Sequence, residues 1–146
     1  MTKKFRLQSV LKHRKLMEDR SRQHLADSLR QEQSARSALD QHRDHYQNLN
    51  SLLENQQQKG IAAADLWLFV TRLENQRSEL RKLEAKVDAL EKKTVNRLEN
   101  LQAVSLERQL LDNLKEKYLQ DQYLEGKRKD ALLMDELALK KVREDL

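Results

Sequence analysis

Four histidines are the residues of this chain best suited to metal binding or proton transfer. Only His42 and His45 have the spacing of three residues that brings two side chains toward one face of a helix. Zinc takes three or four protein ligands, and no HExxH motif or further ligand accompanies this pair. The alternative to a metal site is that one of the two histidines, His42, is a polar residue in the contact between two helices and that the other is exposed. We expect no metal site.

Other catalytic chemistry has little support in the sequence. The chain lacks cysteine, which excludes disulfides and thiolate nucleophiles and leaves its redox compartment open. There is no glycine-rich phosphate loop, and carboxylates spread along a helix pair with Lys or Arg four residues away far more often than they form an acid–base site. We therefore expect no catalytic residue, no cofactor and no enzymatic activity.

The composition predicts an extended, all-helical protein. Apolar residues make up 38% of the 146 residues, charged residues 36% and aromatic residues only 4%, which is too little bulky material for an ordinary globular core. The chain has no proline and only two glycines, Gly60 and Gly126, so turns have few places to form. Disorder is the alternative for so polar a chain, and it requires the apolar residues to lack periodicity.

Apolar residues instead recur in heptads, the pattern of a coiled coil. Before Gly60 the two rows are Leu11, Glu18, Leu25, Glu32, Leu39, Tyr46, Leu53 and Leu7, Arg14, Ser21, Ser28, Ala35, His42, Leu49. After Gly60 they are Phe69, Gln76, Leu83, Leu90, Arg97, Val104, Leu111, Tyr118, Glu125, Leu132, Leu139, Leu146 and Leu66, Leu73, Leu80, Val87, Thr94, Leu101. We call these positions the seam.

Gly60 is the predicted turn of an antiparallel hairpin, because glycine adopts the left-handed conformation that ends a helix. The charge of Lys59 suits the carbonyl end of the first helix, and Asp65 is a candidate to satisfy backbone donors at the start of the second. We predict one αα-hairpin domain over residues 1–146, with helix 1 at about 4–58, a turn at about 59–64 and helix 2 at about 65–143. The alternative is a single helix that runs through the glycine at a cost of about 1 kcal/mol.

Helix 2 is longer than helix 1, so the hairpin leaves a C-terminal overhang. Pairing back from Gly60 sets Leu39 near Leu80 and Leu83 and uses up the first helix near Tyr118. The remaining roughly 25 to 30 residues, from Tyr118 on, have no partner in the chain, extend about 40 Å and still carry apolar residues in helical spacing. We expect this exposed stripe to bind a partner.

Positive charge is concentrated near the N-terminus. Residues 1–22 contain eight Lys or Arg against two acids, a balance of +6, whereas the net charge of the chain is +5. A basic helix end can meet acidic protein, nucleic acid or an anionic membrane, or it can simply be solvated. The sequence gives little support to nucleic acid as the partner, because proteins that bind single strands place aromatic residues among their basic ones and this segment has only Phe5.

Neither a membrane span nor a secretory signal is evident. The apolar run "LWLFV" at 66–70 is far shorter than the roughly 18 residues that cross a bilayer. The first 14 residues, "MTKKFRLQSVLKHR", lack an apolar signal core. We expect a cytoplasmic protein without direct membrane insertion.

Four segments in order resemble the FliJ family of flagellar export proteins: "FRLQSVLKHRKLMEDR" at 5–20, "KGIAAADLWLFVTRLE" at 59–74, "ERQLLDNLKEKYLQD" at 107–121 and "MDELAL" at 134–139. The resemblance covers nearly the full chain. The YscO-type proteins of injectisome secretion systems are close relatives with a similar architecture.

The resemblance implies a fold and a set of partners. FliJ-like proteins form an antiparallel coiled coil similar to the central stalk of rotary ATP synthases. Their terminal helices enter the hexameric ring of the FliI-type export ATPase and promote its assembly, and the hairpin links that ring to the FlhA-type membrane export gate. Some members also handle export chaperones. A chain of this kind would lie at the cytoplasmic face of the inner membrane.

Individual positions follow from the local matches. The gate-binding candidates, matched through "DHYQN" and "FVTRLE", are Tyr46, Phe69 and Leu73. A further aromatic residue that is common in the family one turn after Tyr46 is missing, since Leu49 and Asn50 stand there. The ring-binding candidates are the basic N-terminal and apolar C-terminal residues Lys3, Lys4, Arg6, Lys12, Arg14, Lys15, Leu132, Leu133, Leu137 and Leu139. Because Tyr46, Phe69 and Leu73 all lie in seam rows, the alternative is that they only hold the two helices together.

Two other functions remain open from sequence alone. A generic coiled-coil scaffold would self-associate through the overhang and leave any ATPase unaffected. A basic nucleic-acid binder would show salt-sensitive binding that depends on residues 1–22.

Overall fold

The computed structural model describes residues 4–146, which form two long helices that pack against each other. Helix α1 is Gln8–Lys59, of 52 residues, and helix α2 is Ala63–Asp145, of 83 residues. The described residues contain no strand. The predicted all-α hairpin with a C-terminal overhang is therefore confirmed.

Helix α1 begins at Gln8, four residues later than predicted. Residues 4–7 instead lead into the helix through a turn, in which the Gln8 N–H donates to the Phe5 carbonyl at 3.1 Å. The next hydrogen bond has the spacing of an α-helix, since the Leu11 N–H donates to the Leu7 carbonyl at 2.9 Å. The Phe5 side chain contacts Tyr118, and helix propensity alone does not predict the path that this contact requires.

Gly60 lies between the two helices, in the left-handed region at φ +88°. Lys59 is in the last turn of α1 and Asp65 is in the first turn of α2, where each charge complements the local end of the helix dipole. A Cβ added to Gly60 would meet no atom within 4 Å. The need for glycine therefore comes from the backbone conformation, since no neighbouring group crowds the site.

The seam positions are the least exposed part of α1. All fourteen residues of the two heptad rows that precede Gly60 are buried or half-buried, although Leu7 lies just before the helix. In α2, the rows remain buried or half-buried as far as Tyr118, and Glu125, Leu132, Leu139 and Leu146 are exposed. The side-chain burial thus follows the heptads until α1 no longer supplies a partner.

The chain forms two compact units, and each helix contributes to both. The first, Ser21–Leu101, is called the hairpin unit here. Its core is Ala35, Leu39 and Val87, with Leu80, Leu83 and Leu90 packed against them. Leu39 therefore has the neighbours that the antiparallel register predicts.

The second unit, called the terminal unit, comprises residues 4–20 and Gln102–Leu146 of the described chain. Leu11 is fully buried in it, and Glu18 is 4% exposed. The prediction that α2 lacks a partner from Tyr118 onward was wrong at Tyr118 itself. Its ring lies 5.5 Å from that of Phe5, centroid to centroid, and its hydroxyl donates to the Lys4 carbonyl at 3.4 Å. The overhang therefore begins at Leu119, and we call residues 119–146 the C-terminal segment.

Candidate partner-binding surfaces

Tyr46 occupies a half-buried seam position of the hairpin unit and is held there by Arg77. An Arg77 guanidinium N–H donates to the Tyr46 hydroxyl oxygen at 2.8 Å. The guanidinium carbon lies 5.9 Å from the centre of the Tyr46 ring, within the range of a cation–π contact. The hydrogen bond to Tyr46 raises the pKa of Arg77 above its ordinary value. Tyr46 is therefore tied to α2 through both its hydroxyl and its ring.

Phe69 and Leu73, the other gate-binding candidates, are also half-buried in the seam. Phe69 borders an open hollow beside the turn, where a partner's apolar side chain could reach its ring. The hollow is lined by Gln56, Ile61, Asp65, Leu68, Phe69, Thr71, Arg72 and Asn75. The same side chain can thus pack in the seam and form part of an accessible surface.

Two exposed apolar residues near the turn are not among the predicted candidates. Trp67, the only tryptophan of the chain, is 67% exposed, and Leu68 is 57% exposed. Both stand outside the heptad rows that contain Leu66 and Phe69. A signal was present in the sequence, because a tryptophan outside the seam rows of a long amphipathic helix must face solvent or a partner.

The basic N-terminal residues of the terminal unit are partly engaged by acids of α2. The Arg14 guanidinium lies 2.6 Å from a Glu107 carboxylate oxygen, and the Lys15 ammonium lies 4.0 Å from an Asp112 oxygen. Arg14 and Glu107 are 40% and 51% exposed, so water screens their attraction. The excess of positive charge in residues 1–22 is therefore not a uniform free patch.

A second ionic cluster in the terminal unit is better shielded from solvent. Arg108 donates at 2.7 Å to the carboxylate of Glu18 and, through another nitrogen, at 2.7 Å to that of Asp112. The Glu18 bond, followed by the Asp112 bond, raises the pKa of Arg108. Glu18 is thus a seam carboxylate that is stabilised by an arginine from the facing helix.

The remaining basic candidates differ in how the structure places them. Lys4, Arg6 and Lys12 are exposed. The Lys4 backbone carbonyl accepts a hydrogen bond from the Tyr118 hydroxyl, and this bond holds the backbone of Lys4 against α2. Lys3 lies outside the described residues.

The apolar ring-binding candidates are all exposed on the C-terminal segment: Leu132, Leu133, Leu137 and Leu139. Leu132 and Leu139 continue a seam row, whereas Leu133 and Leu137, four residues apart, lie on a neighbouring face. Every residue from Tyr123 to Leu146 is exposed. These leucines form an apolar surface that no described residue covers.

The structure brings no metal ligands together at the histidine pair. His42 is half-buried in the seam and His45 is exposed, so the two rings have different surroundings. Residues 4–146 contain no group of three or more side chains arranged to hold a metal ion. Nor does either helix, as far as it is described, contain a stretch long and apolar enough to cross a membrane.

Comparison with known proteins gives one family. The family model described as "Flagellar FliJ protein" matches residues 2–145, nearly the whole chain. No curated protein and no solved structure matches the sequence.

Proposed function

The chain belongs to the FliJ family of flagellar proteins, and from this premise we propose that it is the central stalk of a flagellar protein export apparatus. In this role it promotes the ring of a FliI-type export ATPase and couples that ring to a FlhA-type export gate. The observation that carries the proposal is the C-terminal segment, a helix with an uncovered apolar surface at the end of a paired coil.

The terminal unit suits insertion into a ring. The C-terminal segment offers exposed leucines, and the paired part beside it offers Lys4, Arg6 and Lys12 to an acidic lining. The ion pairs of Arg14 and Lys15 are exposed and weak, so both side chains can exchange partners at little cost. A surface of mixed charge can meet successive subunits of a ring without a strong preference for one of them.

The hairpin unit suits a contact with the export gate. Tyr46, Phe69 and Leu73 support it as half-buried residues at the edge of the seam, and Trp67 adds the most exposed aromatic side chain near the turn. Exposed tryptophan is enriched among residues that dominate binding energy at interfaces. The chain would act at the cytoplasmic face of the inner membrane through these partners, without catalysis or membrane insertion, and handle export chaperones there.

The test is the hydrolysis rate and oligomeric state of the cognate export ATPase with and without this protein. Full-length protein should stimulate hydrolysis and increase ring formation, and a variant truncated after Tyr118 should do neither. Loss of the apolar segment removes the surface that the ring would bind, while the pairing of Phe5 with Tyr118 is retained. No effect from the full-length protein would contradict the stalk proposal.

Two controls separate the surfaces. The substitution Leu29→Ser changes an exposed leucine of the hairpin unit and should leave ATPase stimulation intact. The truncated variant should still bind the cytoplasmic domain of the gate, because the hairpin unit is unchanged. A truncated protein that binds neither partner would show that the effect of truncation is not specific.

A further inference from the structure

The C-terminal segment has an exposed helical surface that is patterned as well as apolar. All of its residues except Gln122 are exposed, so its side chains are available along the whole segment. Its charges fall in blocks: acidic at Asp121 and Glu125, basic at 127–129 with Asp130 next to them, acidic at 135–136, basic at Lys140, Lys141 and Arg143, and acidic at 144–145. The blocks on the two sides of residue 132 have opposite signs at matching distances.

This charge order is complementary to its own reverse. When a second copy is laid antiparallel with residues 131 and 132 opposite each other, Arg128 meets Asp135, and Lys129 lies within one helical turn of Glu136. Asp121 and Glu125 then lie within about one helical turn of the basic residues 140–143 of the other copy. Each contact occurs twice, as a two-fold axis requires.

Apolar residues match in the same register. Each residue advances an α-helix by about 100°, so Leu124, Arg128, Ala131, Leu132, Asp135 and Leu139 lie within an arc of about 100° and share one face. Along this face Leu124 lies opposite Leu139, and Ala131 lies opposite Leu132, with the Arg128 and Asp135 pair between them. A parallel arrangement in register would instead set the basic block 127–129 against itself, which is unfavourable.

We propose that the C-terminal segment pairs antiparallel with the same segment of a second copy of this chain, centred at residues 131–132. The pairing covers the apolar face and neutralises both charge blocks. It is independent of the stalk proposal, because it follows from the exposure and sequence of this segment alone.

The test is sedimentation equilibrium of the full-length protein and of two charge-reversed variants, from nanomolar to high-micromolar concentration. The acidic variant is Lys127→Glu/Arg128→Glu/Lys129→Glu, and the basic variant is Asp135→Lys/Glu136→Lys. The wild type should dimerise reversibly. Each variant alone should dimerise at least roughly tenfold more weakly, because like charges then face each other across the pair.

An equimolar mixture of the two variants should recover dimers, because the acidic block of one copy then meets the basic block of the other at both ends. Recovery also shows that each variant folds. The substitutions Lys92→Glu/Lys93→Glu, at exposed positions of the hairpin unit, should leave the dissociation constant unchanged. A monomeric wild type, or a mixture that stays monomeric, would overturn the proposal.

Orientation can be tested with single cysteines, since the chain has none of its own. Ala131→Cys lies near the proposed two-fold axis and should form a disulfide-linked dimer on oxidation. In the antiparallel pair, the cysteine introduced by Lys141→Cys lies far from the same position of the other chain, so this variant should not form the disulfide. Equal cross-linking at both positions would indicate parallel pairing and contradict the proposed register.

Discussion

Arg77 and Tyr46 hold each other across the hairpin unit, with the guanidinium 2.8 Å from the hydroxyl oxygen and over the aromatic ring. The contact joins α2 to α1 at the level of the gate-binding candidates. It has two parts that can be separated, because the hydrogen bond needs the hydroxyl whereas the packing and cation–π contact need only the ring.

Tyr46→Phe and Tyr46→Ala should therefore affect gate binding differently. The phenylalanine variant keeps the ring and should bind the gate's cytoplasmic domain with nearly unchanged affinity, whereas the alanine variant should lose roughly tenfold or more. Isothermal titration calorimetry measures both affinities, and circular dichroism verifies that both variants are helical. If Tyr46→Ala binds the gate as well as the wild type does, Tyr46 contributes only to packing between the two helices.

Replacing the two glycines should give different results. Gly60→Ala places a Cβ in the left-handed region and should lower the free energy of unfolding by about 1 to 2 kcal/mol. Gly126 is helical with open space around it, so Gly126→Ala should raise helix content without loss of stability. Urea denaturation and far-ultraviolet circular dichroism make the comparison. Destabilisation by Gly126→Ala would show that this position is not an ordinary helical site.

Much of the fold could be predicted because burial in a two-helix coil follows a short repeat in the sequence. Heptad spacing identifies Leu39 and Val87 as seam residues. Gly60 locates the turn, because the chain has no proline and no other glycine near the point where the heptad rows break. The approach of Phe5 to Tyr118 could not be found this way. It depends on four residues that precede the helix, where no repeat constrains the backbone.

The candidate surfaces were less predictable than the fold. A charge count along the chain found the excess near the N-terminus, but it could not show that Arg14 lies against Glu107, 93 positions away. Pairings of this kind depend on rotamers and on the register to within one helical turn. Trp67 was missed for a different reason, because the apolar run 66–70 was weighed as a membrane span and not by the face that each residue occupies.

Ser28 is a polar seam residue whose replacement should stabilise the hairpin. It is fully buried, and its hydroxyl has no hydrogen-bond partner within residues 4–146. Ser28→Ala removes an unsatisfied buried group and adds a better helix former, which should raise the free energy of unfolding by about 1 kcal/mol. Ser21→Ala is the matched control, because the Ser21 hydroxyl accepts from Asn100 at 3.4 Å and its loss should bring less benefit. Equal gains, measured by urea denaturation, would show that the missing partner has no energetic consequence.

Glu32 should make stability sensitive to acid. The Arg36 side chain donates to the Glu32 carboxylate at 2.8 Å, and this bond holds the pKa of Glu32 below its ordinary value of 4.5. The group therefore contributes stability above pH 4.5, which is lost as the pH falls through the lower folded-state pKa. Glu32→Gln should be less stable than the wild type at neutral pH, with the difference shrinking in acid. Thermal unfolding across pH measures this.

Arg36→Met provides the control for that result, since it removes the donor and leaves the carboxylate in place. It should also reduce the acid-dependent part of the stability. If the stability difference between the wild type and Glu32→Gln is the same at neutral and acid pH, the ion pair does not shift the titration of Glu32.

The two proposed uses of the C-terminal segment exclude each other, because ring binding and self-pairing both cover Leu132 and Leu139. An equimolar mixture of the acidic and basic variants, which forms heterodimers, should therefore stimulate the export ATPase less than the sum of the two variants assayed separately. A mixture of the wild type with Lys92→Glu/Lys93→Glu controls for total protein. Additive stimulation by the variants, at concentrations where sedimentation shows their heterodimer, would mean that the ring binds a surface that self-pairing leaves open. Less than additive stimulation would make self-pairing a reserve state that the ATPase ring must dissociate before the stalk can enter.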